Sequence, residues 1–137
     1  MAEIWKDVPG YEGLYKISNL GKIKRHKKTY FCCWNTKRVL EEQEIIGDKD
    51  KFGYRRIVLY KNKTKKRIVL HRLIAEVFIP NPDNKPEIDH INAIPDDNRV
   101  ENLRWVTHTE NMNNPITLKR KSLSAMNNNH RNKQYKK

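Results

Sequence analysis

Asp89 and His90 stand side by side, and Asn102 and Asn111 follow a short distance along the chain. A histidine titrates near neutrality, so His90 can take a proton from water. Asp89 offers a carboxylate and Asn111 an amide carbonyl. These are hard oxygen donors of the kind Mg2+ or Mn2+ accepts, with water and phosphate oxygens completing the shell. An ion held there would neutralise charge on a phosphodiester and on its departing 3′-oxygen. Taken singly, each residue has an ordinary alternative: Asp89 as a surface aspartate in a turn, His90 as a buried, hydrogen-bonded histidine. The hydrolytic reading rests on the set.

Such a set works only if the chain doubles back. Asp89 and His90 end a stretch that reads as a strand, and Asp96-Asp97-Asn98 supplies turn chemistry. Asn102 opens Leu103-Arg104-Trp105-Val106, which has the apolar spacing of a return strand. Thr107 and Glu110 fit a capping box, in which hydroxyl and carboxylate satisfy the free N–H groups of a new helix. Asn111 then falls in the first turn of that helix. The segment predicts strand, loop, strand, helix.

Within DHIN…DDNRVENLRWVTHTEN, these residues resemble the HNH nuclease module, the ββα-metal (His-Me finger) fold of many phage and intron-encoded homing endonucleases. The resemblance implies that His90 activates water, that Asp89 and Asn111 bind one metal, and that Asn102 orients the catalytic loop. It implies Mg2+, or Mn2+, as the cofactor. One departure stands in the loop: the family carries a Gly-bearing turn after the histidine, and here Asn92-Ala93-Ile94-Pro95 occupies it. Asn92 and Asn98 are candidate loop stabilisers, with turn propensity the preferred reading. His108 reads as a solvent-exposed histidine.

The N-terminal WKDVPGYEGLYKISNLGKIKR is similar to the fourth of the nuclease-associated modular domains, which in that family contacts DNA. Tyr15, Ile17 and Ile23 alternate with polar neighbours around Ser18-Asn19-Leu20-Gly21, predicting a β-hairpin. Trp5, Tyr11 and Tyr15 are expected to form a small core, and Lys22, Lys24 and Arg25 a basic edge toward DNA. Residues 29–50 carry no clear pattern; 31–34 fit a strand, 47–50 a turn or loop, and no function is assigned. A second, strongly basic hairpin is predicted over 54–71, turning at Lys61-Asn62-Lys63-Thr64. Its Arg55, Arg56, Lys65 and Arg67, with Arg104, are candidate DNA contacts, and so is His71, whose role reads as structural or phosphate-contacting. Leu73, Ile74, Val77 and Phe78 have helical spacing before Pro80 and Pro82, predicting a helix over 71–79 packed behind the nuclease hairpin.

The bulk composition agrees. Of 137 residues, 36% are apolar and 33% charged, and the net charge of +13 gives a long-range attraction to polyanions. No apolar run reaches bilayer length and the start has no signal-peptide pattern, so the expectation is a cytoplasmic protein facing nucleic acid, not a membrane. Cys32 and Cys33 are adjacent, read as ordinary thiols, and with no Cys-x-x-Cys pair zinc is not expected. Nor is a small-molecule cofactor. Residues 115–137 carry seven Lys and Arg and no acid, and read as an extended or partly helical basic arm.

The fold class expected is α+β: an N-terminal DNA-binding module over 1–50, basic hairpin, helix and nuclease module over 51–114, and the arm over 115–137. The function expected is metal-dependent cleavage of double-stranded DNA, phage-encoded and acting in the bacterial host cell, with oligomeric state left open. A non-catalytic DNA-binding regulator on the same frame is the alternative; an RNA-binding protein comes third.

Overall fold

Apolar and polar residues alternate along the first segments, and a computed structural model of the chain shows them as an antiparallel sheet. The structure describes the backbone of residues 2–134 and the side chains of residues 2–125. Strand β1 (Trp5–Asp7) pairs with β2 (Tyr15–Ser18), and β2 with β3 (Ile23–Arg25). The β2–β3 turn needs Gly21, whose φ is +85°. The chain then leaves the sheet as a hairpin of β4 (Lys28–Cys32) and β5 (Thr36–Leu40), whose strands pair only with each other. It returns as β6 (Gln43–Ile45) on the edge of β3.

A second sheet has the order β7 (Asp48–Lys49), β8 (Arg55–Lys61), β9 (Thr64–Val69). Asn62 and Lys63 take φ of 50° and 62° between β8 and β9, the left-handed pair that a tight two-residue hairpin turn requires. Helix α1 (Leu70–Phe78) follows at once, and Pro80 and Pro82 lie just beyond it. It buries Leu70, Leu73, Ile74 and Ala75. Strands β10 (Glu87–His90) and β11 (Leu103–Val106) form the third pair, with Asp89 opposite Arg104 and His90 opposite Leu103. A 3-10 turn, Val100–Asn102, leads into β11. Helix α2 (His108–Met112) starts on Thr107, and helix α3 (Pro115–Gln134) closes the described chain.

One core joins these parts. Tyr15, Ile17 and Ile23 of the first sheet, with Val8 just after β1, pack with Ile57 and Leu59 of β8, with Leu70, Leu73 and Ile74 of α1, and with Ile88 and Leu103 of the last hairpin. Polar bonds reinforce the join: the Tyr60 N–H donates to the Tyr15 hydroxyl at 3.0 Å, and Val100 N–H to the Asn19 carbonyl at 2.9 Å. Helix α1 lies behind β10 and β11, and Trp105 Nε1 donates to the Ile79 carbonyl at 3.0 Å. The fold is α+β, as expected.

Several expectations need correction. Residues 47–50 are not all loop: Asp48 and Lys49 pair with Arg56 and Arg55, because the β8 edge offers unpaired backbone groups that the chain can satisfy. Residues 29–50 hold three further strands. Trp5 does not enter the core; the ammonium groups of Lys24 and Lys16 sit over its ring, 4.4 and 5.6 Å from the centroid. Of the two forms expected for the basic arm, extended or partly helical, the chain takes the helical one through Gln134; the side chains of Arg131, Lys133, Lys136 and Lys137 lie outside the described residues.

Candidate active site

Strand β10 ends on Asp89 and His90, both 5% exposed, at a cleft of about 230 Å3. The cleft is lined by both residues together with Tyr54, Asn111, Thr117, Arg120 and Lys121. Asn111 reaches it because Thr107 starts α2 as a complete capping box with Glu110, and the Asn111 N–H donates to the Thr107 carbonyl at 3.0 Å. Asn111 Nδ2 donates to Glu87 at 2.8 Å, so its carbonyl oxygen is the atom left to act as a ligand. That bond, with His108 Nδ1 at 2.8 Å, holds the Glu87 carboxyl below its ordinary pKa.

The His90 ring is held on two sides. Nε2 meets Asn98 Oδ1 at 3.0 Å. An amide oxygen can only accept, so Nε2 carries the proton and Nδ1 keeps a lone pair. The faces and edges meet His71, with ring centroids 4.9 Å apart, and Tyr54 at 5.7 Å. His71, expected to be structural or to contact phosphate, packs on the histidine of the site, because β9 runs into α1 beneath β10. Burial first, then the neighbouring His90, lowers the His71 pKa to about 4.

The loop between β10 and β11 is fastened by amides. Asn102, 6% exposed, accepts the Asn92 N–H at 3.0 Å and donates to Asn92 Oδ1 and the Asp97 carbonyl, both at 2.9 Å. Asn92 Nδ2 donates to Asp97 at 2.7 Å, and Asp97, gripped by Arg99, has its pKa lowered to about 2. Asn92 and Asn98 therefore do more than favour a turn. Ala93 takes φ of 57°, the left-handed region where a glycine is the cheaper residue. The surrounding amides over-determine the loop and hold that conformation.

Asp89 is already paired. Arg104, across the hairpin, donates to Oδ2 from Nη2 at 2.7 Å and from Nε at 2.9 Å. Asn114 Nδ2 lies 2.9 Å from both carboxylate oxygens. Sequence reasoning passed over Asn114, although an Asn directly before a Pro is the pattern of a helix cap and first helical position. Among the other residues expected at DNA, Arg55 makes a two-pronged bond to Asp96 at 2.9 Å and Arg56 pairs with Asp48. Lys24 pairs with Glu42 at 3.5 Å and Arg25 reaches Gln43 at 3.4 Å. Lys22, Lys65 and Arg67 are exposed on the surface.

Among the described residues no three His, Cys, Asp or Glu side chains cluster to cage a metal. A carboxylate and an amide carbonyl on one cleft fit instead an ion that keeps water and substrate oxygens, which is the habit of Mg2+.

Comparison with known proteins gives the family. Residues 69–113 match the HNH endonuclease family model and residues 3–60 the NUMOD4 motif. The solved structure of the HNH homing endonuclease I-HmuI superposes with a TM-score of 0.62 at 30% identity, over 91% of this chain and 68% of that one. The chain belongs to the HNH endonuclease family. The DNA endonuclease I-HmuI of Bacillus phage SP01 is 35% identical over 82% of this HNH chain. An uncharacterized HNH endonuclease of Acanthamoeba polyphaga mimivirus is 33% identical over 92% of it. The chain spans 58% and 30% of those two relatives' lengths.

Proposed function

We propose that the chain is a divalent-metal-dependent DNA endonuclease of the HNH homing type. The observation that carries this reading is the meeting of His90, Asp89 and Asn111 on one cleft walled by Arg120 and Lys121. His90 removes a proton from water through Nδ1, since Nε2 is committed to Asn98. Asn102 and Asn92 keep the loop that presents His90. Asp89 and the Asn111 carbonyl would hold Mg2+ or Mn2+, which when bound supplies charge neutralisation at the scissile phosphate. Arg120 and Lys121 attract the phosphate backbone, and Lys22, Lys65 and Arg67 extend the cationic surface. One such site cuts one strand, so a monomer nicks duplex DNA and a double-strand break requires two sites. The phage relative supports a phage-borne enzyme acting in the bacterial cytoplasm.

The test is relaxation of supercoiled plasmid with Mg2+, with Mn2+ and with EDTA. Cleavage is expected with either ion and lost with EDTA. His90→Ala should cleave roughly 10²–10⁴-fold more slowly, the usual scale for losing a general base, while DNA binding persists. Equal rates for a folded His90→Ala would remove His90 from the mechanism. The ion pair of Asp89 with Arg104 favours a second reading, a DNA-binding protein that does not cut, and the same assay separates the two.

A further inference from the structure

Asn114 is 1% exposed and lies outside the four residues whose types suggested the chemistry. Its side-chain nitrogen donates to Asp89 Oδ1 and Oδ2, each at 2.9 Å, and to the His90 carbonyl at 3.2 Å. Its side-chain oxygen accepts the N–H groups of Ile116 at 3.0 Å and Thr117 at 3.3 Å, and its carbonyl accepts Leu118 N–H at 2.9 Å. Chemistry fixes which amide end points where. A carboxylate and a carbonyl can only accept, and backbone N–H groups can only donate, so a reversed amide would set like against like at both ends. Asn114 is thus the cap of α3, with Pro115 in the first helical position, and also the clamp on the end of β10.

Two consequences follow from that double role. Asp89 is held between Arg104 on one side and Asn114 on the other, which sets the plane of its carboxylate. The helix that Asn114 starts carries Thr117, Arg120 and Lys121 into the wall of the cleft, and Arg120 is tied back to the Ala93 carbonyl at 2.8 Å. We propose that Asn114 is a positioning residue of the nuclease site: one amide aligns the Asp89 carboxylate and seats the cationic helix α3 in register with it. This rests on the nuclease reading above.

The test separates clamping from capping. Asn114→Ser and Asn114→Thr remain good caps but are too short to donate to both Asp89 oxygens; Asn114→Ala loses both roles. Far-UV circular dichroism and thermal melting report the helix. Mn2+ titration followed by electron paramagnetic resonance, without DNA, reports the Asp89 site independently of cleavage. Plasmid nicking gives kcat and KM. The Ser and Thr variants should keep wild-type helicity and KM for DNA, yet bind Mn2+ and turn over about 10–100-fold less well, the scale seen when a partner of a metal ligand is removed. Wild-type Mn2+ affinity and kcat in either folded variant would reduce Asn114 to a cap and overturn the proposal. If one variant melts, the other decides. Wild-type protein that binds Mn2+ but does not cut defeats the nuclease reading alone, and weaker Mn2+ binding by Asn114→Ser then still supports the clamp. Wild-type protein that neither binds Mn2+ nor cuts overturns both.

Discussion

His71 carries a buried ring nitrogen, Nδ1, that makes no hydrogen bond, and its ring lies against His90 and Tyr54. A cation is poorly tolerated there, and its pKa falls from the ordinary 6.5 to about 4. The unfolded chain therefore takes up a proton at His71 that the folded chain refuses. Stability from this site is complete above about pH 6.5 and drains away as pH falls toward 4. The slope is at most about 1.4 kcal/mol per pH unit. Urea midpoints measured from pH 7 to pH 4 should fall less steeply in His71→Phe, which keeps a ring but cannot titrate; parallel profiles would count against it. Single residues were also where the sequence was least legible. Asp89, His90, Asn102 and Asn111 were visible as types at a spacing. Asn98 reads from the sequence chiefly as a turn residue and Asn114 only as the residue before a proline, because an asparagine in a turn looks the same whether its amide faces water or a buried side chain.

Elements whose apolar residues face the core were readable. The β8–β9 hairpin, α1, β10, β11 and the cap of α2 stand where periodicity and turn chemistry placed them, because one face of each must be buried. The run of strands from β4 to β7 was not readable: both faces of β4 and β5 meet solvent almost throughout, so no core imposes a period there. The turn between β2 and β3 does more than reverse the chain. A Cβ at Gly21 would meet the backbone carbon of Asn98 at 2.9 Å, so this turn lies close against the residue that bonds His90 and has no room for a side chain. Gly10 also has a positive φ, +80°, but nothing lies within 4 Å of a Cβ there. Gly10→Ala should lose only the conformational term, about 1–2 kcal/mol. Gly21→Ala should lose more and should also slow cleavage, since the push passes to Asn98. Chemical denaturation and nicking rates of the pair measure the difference; equal losses would mean that the loop gives way freely.

At the scale of the molecule, the two matched motifs share one core, with Ile17 and Ile23 from one packed beside Ile74 and Leu103 from the other. That union was hidden in the sequence, where each motif reads as a unit and the contacts join residues far apart along the chain. One part stands away from it. The β4–β5 hairpin ends on Trp34, 96% exposed, while Trp5 and Trp105, the other tryptophans of the chain, are partly covered. The chain therefore carries a built-in fluorophore on a stalk. Lys37 and Arg38 follow it closely on β5 and give that end of the hairpin positive charge. Iodide, an anion, should quench one tryptophan of the folded protein readily, caesium should quench it poorly, and Trp34→Phe should reduce the contrast to what the partly covered Trp5 and Trp105 give. A fluorescence titration that finds both quenchers equal would place Trp34 elsewhere, and one that keeps its contrast would report DNA arriving at the hairpin without any label.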